Sequence, residues 1–203
     1  MTDNIEPIRT TRVGMIGRRP YLKATGLATA GMVGFAGCLG DGETGTLATQ
    51  VTDQPGDIAD FESCVVTIVG MWLGPEGATS GEEDDEEPDG REYYEYDEPQ
   101  QADLVELQDG ETQLVDERDL DVASYEFLQL DIDEIDATLE DGSSATVEVP
   151  GEAPLTFNER FEIRDATRTI FTADFTPVRR GQTEEYLLQP VPEGITIEYE
   201  DEG

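Results

Sequence analysis

The chain has 203 residues, with 48 acidic residues against 12 basic ones and no histidine. That length suits one ordinary domain plus appendages, and so negative a balance excludes the basic patch that nucleic-acid phosphates require. The absence of histidine excludes the Ser-His-Asp triad, the Cys-His dyad, the HExxH zinc site and the His-based facial triad as usually built.

The N-terminal stretch sets an arginine pair, an apolar run and a cysteine in order, from Arg18 to Cys38. Ala24 to Leu39 is uncharged, but at about 1.5 Å per residue it spans roughly 24 Å, short of the ~30 Å hydrocarbon core. Glycines at 26, 31, 34 and 37 leave it only mildly apolar, so an export signal over residues 1–37, helical while it lasts, fits better than a lasting span. Arg18-Arg19-Pro20-Tyr21-Leu22-Lys23 resembles the twin-arginine export consensus, and Phe35-Ala36-Gly37-Cys38 resembles a lipobox whose usual aliphatic first residue is Phe35 here. These resemblances imply lipid on Cys38, an anchor at the outer face of the cytoplasmic membrane, and a flexible tether over 38–45. The competing reading is a buried N-terminal helix with Cys38 as ordinary core.

From residue 46 to 203 the pattern is one of strands. Gly45 to Asp53 and the nearly continuous apolar run Cys64 to Leu73 read as strands, with Cys64 a small buried hydrophobe. Asp109-Gly110 and Asp141-Gly142 each read as the turn of a hairpin, because the pair supplies the positive φ that a tight turn needs. Leu155 to Ile163, Arg168 to Phe175, Glu185 to Val191 and Gly194 to Glu200 follow; in the last, Ile195, Ile197 and Tyr199 alternate with Thr196, Glu198 and Glu200. Between Tyr125 and Ile132 the apolar residues change parity, which predicts a bulge or a strand passing between sheets. A short helical turn fits only the segment after Pro55. About eight or nine strands with frequent turn signals predict an all-β fold, a β-sandwich.

An acidic insertion over 76–90 interrupts this pattern and precedes a segment holding Tyr93, Tyr94 and Tyr96. The calcium-loop pattern counted from Asp85 fails: Glu87 stands where Asp or Asn belongs and Tyr96 where the closing Glu belongs. Asp131 to Asp136 lacks the turn glycine, so neither stretch is read as a metal site and a solvated loop is expected for the insertion. No phosphate-cradling glycine motif is present, and no cofactor is expected.

From Cys38 onward the chain has 7 arginines, no lysine and 46 acids, a net charge of −39. Apolar residues alternate with the acids, which argues against disorder. Self-repulsion of this size destabilises a compact state at low ionic strength, whereas molar salt shortens the Debye length to about 3 Å and removes the cost. A halophile's surface is the expectation, with a specific cation site or a basic partner as the alternative.

Several segments together resemble a known family. Val51-Thr52-Asp53-Gln54-Pro55 matches its "LTDAP"-like turn, and Val65-Val66-Thr67-Ile68-Val69 its "NVTI" strand. Ala102 to Leu107, Ala123 to Leu130, Ala173-Asp174-Phe175-Thr176 and Tyr186 to Val191 match further segments in the same order. The chain resembles the domain of unknown function DUF4382, common in bacterial and archaeal surface lipoproteins; Ser124 and Gln129 replace the family's glycine and arginine, and the acidic insertion is extra. The resemblance implies an immunoglobulin-like or prealbumin-like sandwich and brings no established activity. With the acidic surface and the two N-terminal motifs, the chain looks like a haloarchaeal lipoprotein.

Two function classes follow. One is a non-catalytic surface module that binds an envelope protein, a polysaccharide or a small ligand, with Trp72, Tyr93, Tyr94 and Tyr96 as candidate contact residues. Against that, Trp72 also fits a core position at a strand end, and the tyrosines an ordinary strand edge. The other is a carboxylate-based or cation-dependent hydrolase, for which no catalytic residue is singled out among so many acids.

Overall fold

The computed structural model describes residues 42–54, 56–81, 88–152, 154–181, 183 and 185–202. The export signal with Arg18 and Arg19, the lipidation position Cys38 and residues 82–87 of the acidic insertion lie outside the described residues. Strand β1 (Thr44–Thr52) begins inside the stretch expected to be tether.

Ten further strands follow in the described residues. β2 (Phe61–Pro75), β3 (Glu92–Asp103), β4 (Gln113–Asp121) and β5 (Ala123–Leu139) are long. β6 (Ser144–Glu148), β7 (Leu155–Phe157) and β8 (Phe161–Ile163) are short. β9 (Thr167–Arg179), β10 (Glu185–Pro190) and β11 (Thr196–Asp201) complete the set. The fold is all-β, as expected, with eleven strands rather than eight or nine. The run from Leu155 to Ile163 is broken by Asn158–Arg160 into β7 and β8, and the tyrosine segment forms β3.

All eleven strands belong to one hydrogen-bonded sheet, in the order β3-β2-β5-β6-β10-β9-β1-β4, with β7 and β8 also on β5 and β11 also on β9. Two separate sheets do not form, because β6 bridges them: it pairs antiparallel with β5 at Ser144–Ala145 and parallel with β10 at Thr146–Glu148. The end strands β3 and β4 approach each other where Gln113 Nε2 donates to the Gln101 carbonyl at 2.7 Å. The sheet therefore curls almost into a barrel, which leaves little free edge.

The Asp141-Gly142 hairpin forms as expected, with Ala137 opposite Ala145 and Gly142 at φ 80°. The hairpin expected at Asp109-Gly110 does not. Leu104–Gly110 begins as a 3-10 turn and leaves helical geometry at Gln108 and Asp109, with Asp103 Oδ1 accepting from Val105 N at 3.1 Å and from Cys64 N at 3.0 Å. The turn buries Leu104 and Leu107, three residues apart and so on one side of a 3-10 winding. β4 then pairs with β1, not with β3. The parity change in β5 is flanked by register shifts against β2 near Pro75 and near Ile68.

The core lies between facing walls of this curled sheet. Phe171 on β9 meets Phe161 of β8 edge-on at 5.1 Å and Phe157 of β7 at 6.4 Å, while Tyr125 of β5 stacks on Phe161 at 5.1 Å. Cys64 is fully buried in the same cluster. β1 crosses the β8–β9 turn so closely that a Cβ on Gly45 would stand 2.1 Å from the Arg164 carbonyl oxygen. Gly45→Ala is therefore expected to cost about 1–3 kcal/mol, since backbone rather than a pliant side chain must give way. Urea unfolding of the two proteins at matched salt checks this; equal midpoints would show that the crossing is looser.

Candidate functional site

The four aromatic residues singled out from the sequence all lie at the β2–β3 end of the sheet, but on opposite faces. Trp72 is paired across the ladder with Tyr93, and Met71 with Tyr94. The two-residue period of β3 then sends Tyr94 and Tyr96 to the face opposite Tyr93.

On the outer face the Trp72 and Tyr93 rings lie 4.5 Å apart, and the Arg91 guanidinium caps the indole at 4.1 Å. Gly70 permits this: a Cβ there would meet the Tyr93 hydroxyl oxygen at 2.6 Å. The Tyr93 hydroxyl donates to Asp131 at 3.0 Å, while the residue as a whole stays 40% exposed. Burial, then the hydrogen bond and charge of Asp131, push the phenol up to about 12. Arg91 also donates to Gln129 Oε1 at 2.5 Å, and buried Gln129 donates to the Ser80 carbonyl at 3.2 Å and to Thr156 at 2.8 Å. The strip is thus held rigid by a satisfied polar network.

On the other face Tyr96 is buried and Tyr94 half-buried, both under the Arg118 guanidinium of β4, at 5.7 and 4.9 Å. Arg118 is held in turn by Asp116, through two hydrogen bonds of 2.5 and 2.7 Å. These groups plug the seam between β3 and β4, beside a groove of about 350 Å³. Burial raises both phenols, and the Tyr96 hydroxyl has no hydrogen-bond partner.

A third cluster was not singled out from the sequence. Asp53, just past β1, and Asp174, within β9, are 1% and 0% exposed. Gln54 N donates to Asp174 Oδ1 at 3.0 Å, but Asp174 Oδ2 and both oxygens of Asp53 lack a hydrogen-bond partner, as does Thr176 Oγ1. Burial pushes the Asp53 carboxyl up to about 7, with the Asp174 charge adding and the nearby Thr176 hydroxyl opposing; burial pushes Asp174 up to about 6. Two short segments cover the cluster. Gly56 leads into the 3-10 turn Asp57–Asp60 and lies against Thr176, so close that a Cβ would reach Oγ1 at 2.6 Å. Gly194, ending the turn Pro192–Gly194, lies closer still against Asp174 Oδ2. Arg179 and Tyr186 pin the first cover by bonds of 2.8 and 3.1 Å to Asp60, and Val191 N donates to the Asp174 carbonyl at 2.8 Å beside the second.

The sequence did carry a signal for this cluster. An acid between Ala173 and Phe175, in a strand whose other polar residues from Ile170 to Val178 are only threonines, is out of place unless it does something. Among the described residues no three His, Cys, Asp or Glu side chains converge as a metal cage, and no helix is long and apolar enough to cross a membrane.

No curated protein and no solved structure matches the chain. The family described as "Domain of unknown function (DUF4382)" matches residues 44–190, from the first residue of β1 to the last of β10. Both buried aspartates and the whole Trp72–Tyr93 strip fall within that match, and the chain belongs to the DUF4382 family.

Proposed function

We propose that the chain is the precursor of an exported lipoprotein of a halophile, anchored through Cys38 at the outer face of the cytoplasmic membrane, whose β domain is a non-catalytic module that binds an envelope component. The observation that carries the binding role is the Trp72–Tyr93–Arg91 strip: rigid, aromatic, partly exposed and bordered by Asp131. Planar rings beside fixed polar groups are the chemistry by which sugar polymers and protein side chains are held. Export and lipidation rest on the twin-arginine and lipobox motifs, and the halophilic reading on the charge balance. The hydrolase reading is weaker, because the carboxyls whose pKa moves most, Asp53 and Asp174, are sealed from any substrate.

The test combines fractionation with binding. Cys38→Ser is expected to release the protein from membranes while leaving its affinity for isolated envelope material unchanged. Trp72→Ala and Tyr93→Ala are expected to weaken that affinity about tenfold or more, in line with loss of aromatic anchors, without altering membrane attachment. Normal attachment of Cys38→Ser would overturn the anchor, and undiminished envelope binding by both aromatic variants would overturn the binding surface.

A further inference from the structure

The Asp53–Asp174–Thr176 cluster plays no part in the envelope-binding strip, so it needs its own account. It contains four side-chain oxygens that are buried and without a hydrogen-bond partner: two on Asp53, one on Asp174 and one on Thr176. Thr176 adds a neutral oxygen to those of the two acids. Its side chain is more than nine-tenths buried, and its hydroxyl faces Asp53 without making a hydrogen bond of good geometry. Buried carboxylates are ordinarily paired with a cationic side chain or bound to a metal. Among the described residues no cationic side chain pairs with these carboxyls. The arginines of the described chain are engaged elsewhere: Arg118, Arg160, Arg164, Arg168, Arg179 and Arg180 in salt bridges, and Arg91 with Gln129 and Trp72. Among the described residues, the neighbouring charge that acts on Asp53 is that of Asp174, which makes its ionisation harder.

We propose that Asp53, Asp174 and Thr176 form an internal cation site, and that its ligand is a hard divalent ion, Ca²⁺ being the best fit. The donors are all oxygen, which excludes the softer metals that seek nitrogen or sulfur. Two carboxylates match two positive charges. Ca²⁺ accepts six to eight oxygens in flexible geometry and so tolerates a set completed by backbone carbonyls or water, whereas Mg²⁺ demands a near-ideal octahedron. The ion would join the end of β1 to the middle of β9 beneath the covers formed at Gly56 and Gly194. It would thus be a structural ion.

The test uses the full chain, stripped with EDTA and dialysed into molar KCl so that the surface carboxylates are screened. Equilibrium dialysis against ⁴⁵Ca²⁺ and thermal unfolding with CaCl₂, MgCl₂ or EDTA are read together. The expected result is one saturable Ca²⁺ per chain, accompanied by a rise in Tm that MgCl₂ does not reproduce. Asp53→Asn and Asp174→Asn should lose that ion. Thr176→Val, which keeps both charges, should weaken it about tenfold and keeps the test open if an aspartate variant fails to fold. Three results would overturn the proposal: no saturable Ca²⁺ on the wild-type chain; Ca²⁺ retained by all three variants, which would place it on surface acids; or an Asp53→Asn variant stabilised in EDTA while wild type gains nothing from Ca²⁺, which would mean that the pair shares a proton instead.

Discussion

In EDTA and molar salt, lowering the pH from 8 to 5 is expected to stabilise the wild-type chain, and Asp53→Asn is expected to remove most of that gain. Asp53 stands near 7 in the folded chain against an ordinary 3.8, so between those values the folded state holds a proton that the unfolded state has released. For a carboxyl raised in this way, the relative stability is greatest below about 4, falls as the pH rises toward 7, and is level above that. The full difference corresponds to about 4 kcal/mol at roughly 1.4 kcal/mol per pH unit. Asp174, raised to about 6 by its own burial, acts in the same direction; because its charge is the least of the causes acting on Asp53, most of its smaller contribution remains in the Asp53→Asn variant. Molar salt matters here because at low ionic strength the general repulsion among surface acids would give a slope of the same sign. Urea unfolding at several pH values, with wild type beside Asp53→Asn, is the measurement. An identical slope for both proteins would mean that the buried carboxyl does not dominate.

The second large effect is expected at Phe171. Replacing it by alanine should cost about 3–5 kcal/mol, the range for a fully buried phenylalanine whose cavity cannot collapse. Collapse is opposed on two sides. The ring sits edge-on to Phe161 and Phe157, which come from two strands of three residues each, and Phe161 is also stacked on Tyr125. Moving either ring inward would break the ladders that hold β7 and β8 to β5. Phe171→Leu should cost less than half as much, because most of the volume is kept. Chemical denaturation with near-ultraviolet circular dichroism follows both stability and aromatic packing. A loss below 1 kcal/mol for the alanine variant would show that this core repacks freely.

The long strands were legible because their signals are local. β2 is continuous and β-branched, β11 alternates residue by residue, and Gly142 marks its turn. The misreading at Asp109-Gly110 has a physical cause: the pair does adopt positive φ, at 63° and 87°, but the preceding residues wind into a 3-10 turn. What commits them is Asp103, which caps Val105 while also accepting from Cys64, a partner far away in the chain. The placement of the tyrosines was half-legible. Period two already separates Tyr93 from Tyr94 and Tyr96, but Arg91 over Trp72 and Arg118 over the other pair needed the strands in position.

By itself the sequence determined the charge balance, the β-class, the family segments and the N-terminal motifs, all of which depend on residue type, local spacing or short period. Only the tertiary structure decided that the sheet closes nearly on itself, that Trp72 and Tyr93 share an outer strip, and that Asp53 comes to lie beside Asp174. The last depends on the parallel pairing of β1 with β9, which sets Thr52 opposite Asp174. Parallel neighbours have no tight turn between them, so nothing in the local sequence announces the contact. It arises because two strands distant in the chain bury their faces in a common core, and the acid just past the end of β1 and the acid within β9 are carried inside with them.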